Sequence, residues 1–315
     1  MKKKKLISIP AAVAGAYAVF SGLVYYEVMG RKATLYEKIA AGVNGEPNPE
    51  ELEKEENDER YVWFRQQKFR NYFMINDRGQ TLRGYLIEAD KPSDVYVLCS
   101  HGYRADGKGE FRFVSKYYHD KNFNVFIVDH QSAGESDGNF ISFGYYESKD
   151  IIKWAEFLKE NFGKDIKIIL HGVSMGCATV TLASADKALP ENVKFTVADC
   201  GYTSMEDEFD SVLKGFNIPS FPIVPLTNIW CRLIGKFSYK EVQPIEAVKK
   251  ARVPMLFIHG KEDTFVPTEM VYRLYDACTS DKELLLVDGA IHARSYYVNP
   301  EACNAKIDAF IEKYI

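Results

Sequence analysis

Two pentapeptides, Gly134-Glu135-Ser136-Asp137-Gly138 and Gly172-Val173-Ser174-Met175-Gly176, fit the G-x-S-x-G pattern of a serine nucleophile. The chemistry needs a serine on a sharp turn between a strand and a helix, where Oγ is exposed and backbone amides lie beside it. Only the second has that setting. The run Ile166–Leu170 leads into it, and Gly176, Cys177 and Ala178 open a helix of small residues behind it. The first is followed by loop-like sequence, so Ser136 reads as a turn residue and Ser174 as the nucleophile.

A serine hydroxyl needs a base, and the base needs a carboxylate to orient it. On such a turn the acid and then the histidine follow the nucleophile in the chain. Only His259 and His292 lie beyond Ser174. His259 ends a strand-like run and leaves little room for a preceding acid, which selects His292. Asp263, just past the end of a strand, is the first choice of acid, and Asp199, at another strand end, is the alternative. The oxyanion donors expected are the amide of Met175, next to the nucleophile, and that of Tyr103, in the loop after an earlier strand. His101, His171 and His259 each precede a glycine at a strand end. They lack a carboxylate at metal-ligand spacing and read as structural, so no metal site is expected.

Six strand-like runs could carry these groups: 94–100, 124–129, 166–170, 193–199, 253–259 and 283–288. They are β-branched and nearly continuous in apolar character, as strands covered on both faces are. Helical periods lie between them, which predicts an α/β architecture with a mostly parallel sheet. Residues 72–76 and 81–88 flank Asp77-Arg78-Gly79-Gln80 as an antiparallel hairpin. From about residue 203 to 240 the alternation breaks into a stretch with three prolines and several aromatics, read as a cap inserted between two strands.

The motifs resemble the α/β-hydrolase superfamily over about residues 68–315. They include His101-Gly102, Asp129 through Gly134-Glu135-Ser136, GVSMG, Asp199-Cys200-Gly201-Tyr202, HGKEDTFVP and GAIHARSY. The pattern is most similar to bacterial, often membrane-anchored, serine hydrolases of the serine-aminopeptidase and monoglyceride-lipase-like group. That resemblance implies an eight-stranded sheet, a helical cap and no cofactor. Many relatives carry Arg-Gly-His where this chain has Gln131-Ser132-Ala133, so a role for that arginine does not transfer.

Charge divides the chain further. Residues 1–30 sum to +3 and residues 31–60 to −4, which leaves −3 of the whole chain's −4 for residues 61–315. Without a basic face, nucleic acid is not an expected partner. Leu6 to Tyr26 is 21 residues without a charge behind Lys2–Lys5, long enough for a membrane helix. Residues 1–30 are therefore expected to be a single-pass membrane anchor, with a cleaved signal peptide as the rival. The lysines favour an N-terminus in the cytoplasm and an extracytoplasmic catalytic domain. Residues 31–60 read as an acidic linker or exposed helix, and residues 61–315 as a catalytic domain able to work without residues 1–30. The six dispersed cysteines read as buried free thiols, at odds with the pairing common outside the cytoplasm.

The function expected is hydrolysis of a small-molecule carboxylic ester with an apolar acyl or aryl group, through an acyl-enzyme. Acyl transfer, thioester cleavage and peptide cleavage share the same triad and are the alternatives. A catalytically dead, membrane-tethered binding protein is the reading from another class.

Overall fold

The computed structural model describes residues 9–32 and 49–315. Residues 1–8 of the expected anchor and 33–48 of the expected linker lie outside them. Eight strands form one sheet: β1 Arg70–Ile75, β2 Thr81–Ile87, β3 Val95–Ser100, β4 Asn124–Asp129, β5 Lys167–Val173, β6 Val193–Asp199, β7 Met255–Gly260 and β8 Lys282–Val287. Their order is β1-β2-β4-β3-β5-β6-β7-β8. The first two pairings, β1 with β2 and β2 with β4, are antiparallel. Every later pairing is parallel. All six strand-like runs and the hairpin read from the sequence are therefore present.

The helices described are α1 Ile9–Met29, α2 Pro49–Glu56, α3 Glu59–Arg65, α4 Val114–Asp120, α5 Tyr145–Phe162, α6 Met175–Ala185, α7 Met205–Gly215, α8 Ile223–Trp230, α9 Glu269–Ala277 and α10 Pro300–Tyr314, with single turns between some of them. Every residue of β3, β4 and β7 is buried. The two-residue period of a strand sends alternate side chains to opposite layers. Val97 and Cys99 pack with Tyr118, Ile307 and Phe310 on one face. Leu98 packs with Trp154, Leu158 and Val180 on the other. The cap, α7 and α8 with the turns that follow, enters between β6 and β7. Ser204 starts it by accepting the amide of Asp207 at 3.0 Å, which satisfies an otherwise orphaned donor of the first helical turn.

The acidic stretch takes the form of a helix where it is described. Glu55, on α2, is buried and pairs with Arg112 at 2.9 Å and with Arg294, which ties the segment to the catalytic domain.

The N-terminal segment departs most from expectation. It is helical, but among the described residues no helix is long and apolar enough to cross a membrane. The last two turns of α1 belong to the protein core, with Tyr25 and Met29 at 6% and 1% exposure. Its C-terminal carbonyls, which lack partners within the helix, meet the catalytic domain. Tyr103 Oη donates to the Val28 carbonyl at 2.6 Å, and Arg104 donates to those of Glu27 and Gly30 at 2.7 and 3.2 Å. A guanidinium also complements the negative end of a helix dipole. Trp230 of the cap packs on Gly22 and donates to Ser21 Oγ at 3.0 Å. Just past the helix, Arg31 donates to the carbonyls of Ser136 and Gly134 at 2.5 and 2.8 Å. The segment expected to be a separable transmembrane anchor is thus, in its second half, a wall of the folded domain.

Met29→Ala should accordingly cost about 2–5 kcal/mol in chemical unfolding, as for a buried methionine, whereas Val19→Ala, at a position 66% exposed, should cost close to nothing. Equal, negligible effects would mean that α1 is only a tether.

Candidate active site

Ser174 joins β5 to α6 with φ 57° and ψ −117°, a conformation costly for a non-glycine residue and found where function requires it. Close approach makes the turn possible. A Cβ on Gly172 would lie 2.1 Å from the Gly176 carbonyl oxygen, and one on Gly176 would lie 1.9 Å from the Ser100 carbonyl oxygen. Both pattern glycines are therefore there because backbone packs on backbone. The Ser174 amide donates to the main-chain carbonyl of Asp199 at 2.9 Å. Ser136 is a structural turn residue: its Oγ donates to the Asp129 carbonyl at 2.7 Å and accepts the Arg83 amide at 2.8 Å.

His292 lies in the loop after β8, with Nε2 2.9 Å from Ser174 Oγ and Nδ1 2.7 Å from Asp263 Oδ2. A carboxylate only accepts when ionised, so Nδ1 carries the ring proton and Nε2 is left to accept from the serine. Asp263 follows β7. Its Oδ1 accepts the amides of Phe265 and Val266 at 3.0 and 2.9 Å. Burial works against its charge, but hydrogen bonds from His259 and His292 outweigh it and bring its pKa down to about 2.

His259 is the member of the site that sequence reasoning assigned only a structural role. Its Nε2 lies 2.9 Å from the Val266 carbonyl oxygen and 3.3 Å from Asp263 Oδ2. Both neighbours are acceptors, so that nitrogen holds the proton and shares it between them. The signal was present in His259-Gly260-Lys261-Glu262-Asp263, but as four-residue proximity it named no role. His101 and His171 are structural: His101 Nε2 accepts the His130 amide at 3.0 Å, and His171 Nδ1 meets Tyr118 Oη at 2.9 Å. Burial pushes His171 down to about 3.

The alternative acid, Asp199, is not the partner of His292. It supports the nucleophile through its carbonyl, and burial pushes its carboxyl up to about 7 against the pull of His259. Cys200, Asp263 and His292 bring possible metal-ligand atoms within 4.8 Å of one another. Burial holds the Cys200 thiol well above its ordinary range, and the other two are bonded to each other, so the triad accounts for the cluster. All six cysteines are free and buried.

Ser174 opens into a cavity of about 200 Å³ that Tyr103 and Met175 also line. Gly102 brings the Tyr103 loop against the nucleophile, since a Cβ there would lie 3.3 Å from that of Ser174. The cap supplies one wall, including Phe209, Leu213 and Val224, and α1 supplies another through Val24, Tyr25, Val28 and Met29. The α1 wall was invisible in the sequence because apolar residues fit a lipid environment and a pocket equally well.

The model of the prolyl oligopeptidase family matches residues 110–315, more than half of the chain. The chain belongs to the prolyl oligopeptidase family. The uncharacterized protein YqkD of Bacillus subtilis is 27% identical over 314 residues, 98% of this chain and 97% of that one. The alpha/beta hydrolase domain-containing protein aho-3 of Caenorhabditis elegans is 29% identical over 201 residues, 64% of this chain and 53% of that protein. An esterase of Pyrococcus furiosus superposes with a TM-score of 0.63 at 20% identity, covering 86% of this chain and 95% of its own. An acylaminoacyl peptidase of Pyrococcus horikoshii gives 0.56 at 17% identity, covering 81% of this chain and 43% of its own. Likeness at these identities shows a shared α/β-hydrolase fold. With the Ser174–His292–Asp263 geometry, this member of the prolyl oligopeptidase family is a serine hydrolase.

The raised carboxyl of Asp199 has a measurable consequence. Between about pH 4 and pH 7 the native state keeps a proton there that the unfolded chain has lost, so this group's contribution to stability falls as pH rises. Asp199→Asn removes that slope. The variant's unfolding midpoint relative to wild type should improve between about pH 5 and pH 8, and an unchanged difference would contradict the assignment.

Proposed function

We propose that the chain hydrolyses carboxylic esters of apolar acyl groups at a membrane surface. The apolar cavity opening directly onto the Ser174 hydroxyl carries the reading. Ser174 Oγ attacks the ester carbonyl while its proton passes to His292 Nε2, and Asp263 holds the imidazole and balances its charge. The Met175 and Tyr103 amides receive the oxyanion. Collapse expels the alcohol, which takes the proton from His292, and water then repeats the sequence to release the acid. A hydrocarbon-lined cavity suits an acyl chain better than a peptide, whose amides would need hydrogen-bonding partners there.

Turnover of p-nitrophenyl esters should rise about three- to fourfold in kcat/KM per added methylene until the cavity is full, following the transfer energy of a buried CH₂. Ser174→Ala should abolish it, and Asp263→Asn should lower kcat about 10⁴-fold. The family match and the acylaminoacyl peptidase neighbour favour peptide cleavage as the second reading. Preference for peptidyl p-nitroanilides over these esters would establish it instead.

The membrane part of the proposal rests on exposed apolar side chains of the two elements that wall the cavity, α1 and the cap. Val19 and Leu23 of α1 and Phe221, Ile229, Leu233 and Ile234 of the cap are each at least half exposed. The two elements are joined through the Trp230 contact with Ser21 and Gly22. Lys2–Lys5 precede this face and complement anionic headgroups. The partner that fits is an anionic bilayer, entered only to interfacial depth. Full-length protein should sediment with phosphatidylglycerol vesicles, and the double variant Phe221→Ser, Leu233→Ser should sediment at least tenfold less while hydrolysing a soluble short-chain ester normally. Equal sedimentation of both, or self-association through this face, would refute the membrane role.

A further inference from the structure

Most polar groups of the cavity are already engaged. Tyr103 donates to the Val28 carbonyl, Tyr202 Oη to that of Phe143 at 2.8 Å, and Tyr239 Oη to Thr227 Oγ1 at 2.8 Å. Two are not. Glu208 Oε2 and Tyr25 Oη are buried and have no hydrogen-bond partner among the described residues, and both residues line the cavity. Glu208 is 4% exposed and lies on α7 among apolar lining residues of the same helix, Phe209, Val212 and Leu213.

An unpaired buried carboxyl oxygen destabilises the fold, and a leucine would fill that position without that cost. Burial first, and the negative charge of Asp263 second, hold the Glu208 carboxyl well above its ordinary range. Burial thus favours the protonated carboxyl, which offers one O–H donor and one carbonyl acceptor. The group that matches both in a hydrocarbon wall is a hydroxyl, which accepts the one and donates to the other. An ammonium would need acceptors for three N–H groups, which the Glu208 carbonyl and Tyr25 Oη, in a wall otherwise aliphatic or engaged, do not supply. A carboxylate would be repelled by Asp263.

We infer that Glu208 is a specificity-determining residue that binds a hydroxyl on the acyl chain, so that the preferred substrates are esters of hydroxylated apolar acids. This rests on the ester-hydrolase reading. The test uses the full chain with p-nitrophenyl octanoate and the isomeric p-nitrophenyl monohydroxyoctanoates. One isomer should exceed the plain ester in kcat/KM by about tenfold, the scale of one net hydrogen bond. Glu208→Leu should bring that ratio to about one, and Glu208→Gln, which keeps a neutral donor and acceptor, should retain most of it. A ratio near one for every isomer in wild type, a ratio surviving in Glu208→Leu, or a preference for an aminoacyl ester would overturn the inference.

Binding separates this result from failure of the ester reading. Hydroxylated methyl ketones of matching chain length should raise the thermal midpoint of wild type more than the plain ketone does, and Glu208→Leu should lose the difference. That difference is readable even if no ester is turned over, and its absence in wild type refutes the role of Glu208.

Discussion

The strained turn at Ser174 is the constraint on which the rest of the site depends. A non-glycine residue at φ 57° and ψ −117° persists only where its surroundings over-determine it. Here the Gly176 backbone seats against Ser100 of β3, and the Asp199 carbonyl of β6 holds the Ser174 amide. The neighbouring strands on either side of β5 thus fix the nucleophile. The same arrangement starts α6 immediately after the serine, at Met175. A parallel sheet also delivers Asp263 and the His292 loop to the same edge, because both follow the C-terminal ends of strands.

A second constraint sits above the first. The cavity has hydrocarbon walls from two sources distant in sequence, the cap and the N-terminal helix. Capping the last carbonyls of α1 by Tyr103 and Arg104 links the helix to the loop beside the nucleophile. Packing of α1 and arrangement of the site are therefore coupled through residues 102–104. The same helix carries one face into the core and leaves another, with Val19 and Leu23, exposed. A helix with this division serves as pocket wall and surface patch together.

Much of this was legible in the residues. The six strands β3 to β8 were readable because parallel strands covered on both faces are nearly continuous in apolar character, the hairpin β1–β2 because of its turn residues, and the triad because strand-end positions in the order Ser, Asp, His leave few choices. The choice between Asp263 and Asp199 needed coordinates: both end strands, and only three-dimensional placement shows that one meets His292 while the other supports Ser174 through its carbonyl. His259 hid its contact with Asp263 behind an ordinary strand-end glycine pair. Tyr25 and Met29 could not be recognised as pocket residues, since hydropathy reports that a side chain avoids water and not what replaces the water. Glu208 was hidden in an acidic helix start, Met205-Glu206-Asp207-Glu208, where only burial separates it from its solvated neighbours.

The most direct test of the central claim, an activated Ser174 facing a cavity that α1 helps to build, is covalent labelling by an alkyl fluorophosphonate, with the modified peptide located by mass spectrometry. One adduct on Ser174 is predicted, forming faster with a long alkyl chain than with a methyl group, and the chain-length advantage should shrink when Val28 is replaced by Asp. No adduct on Ser174, or labelling indifferent to chain length in the unmodified protein, would contradict the account.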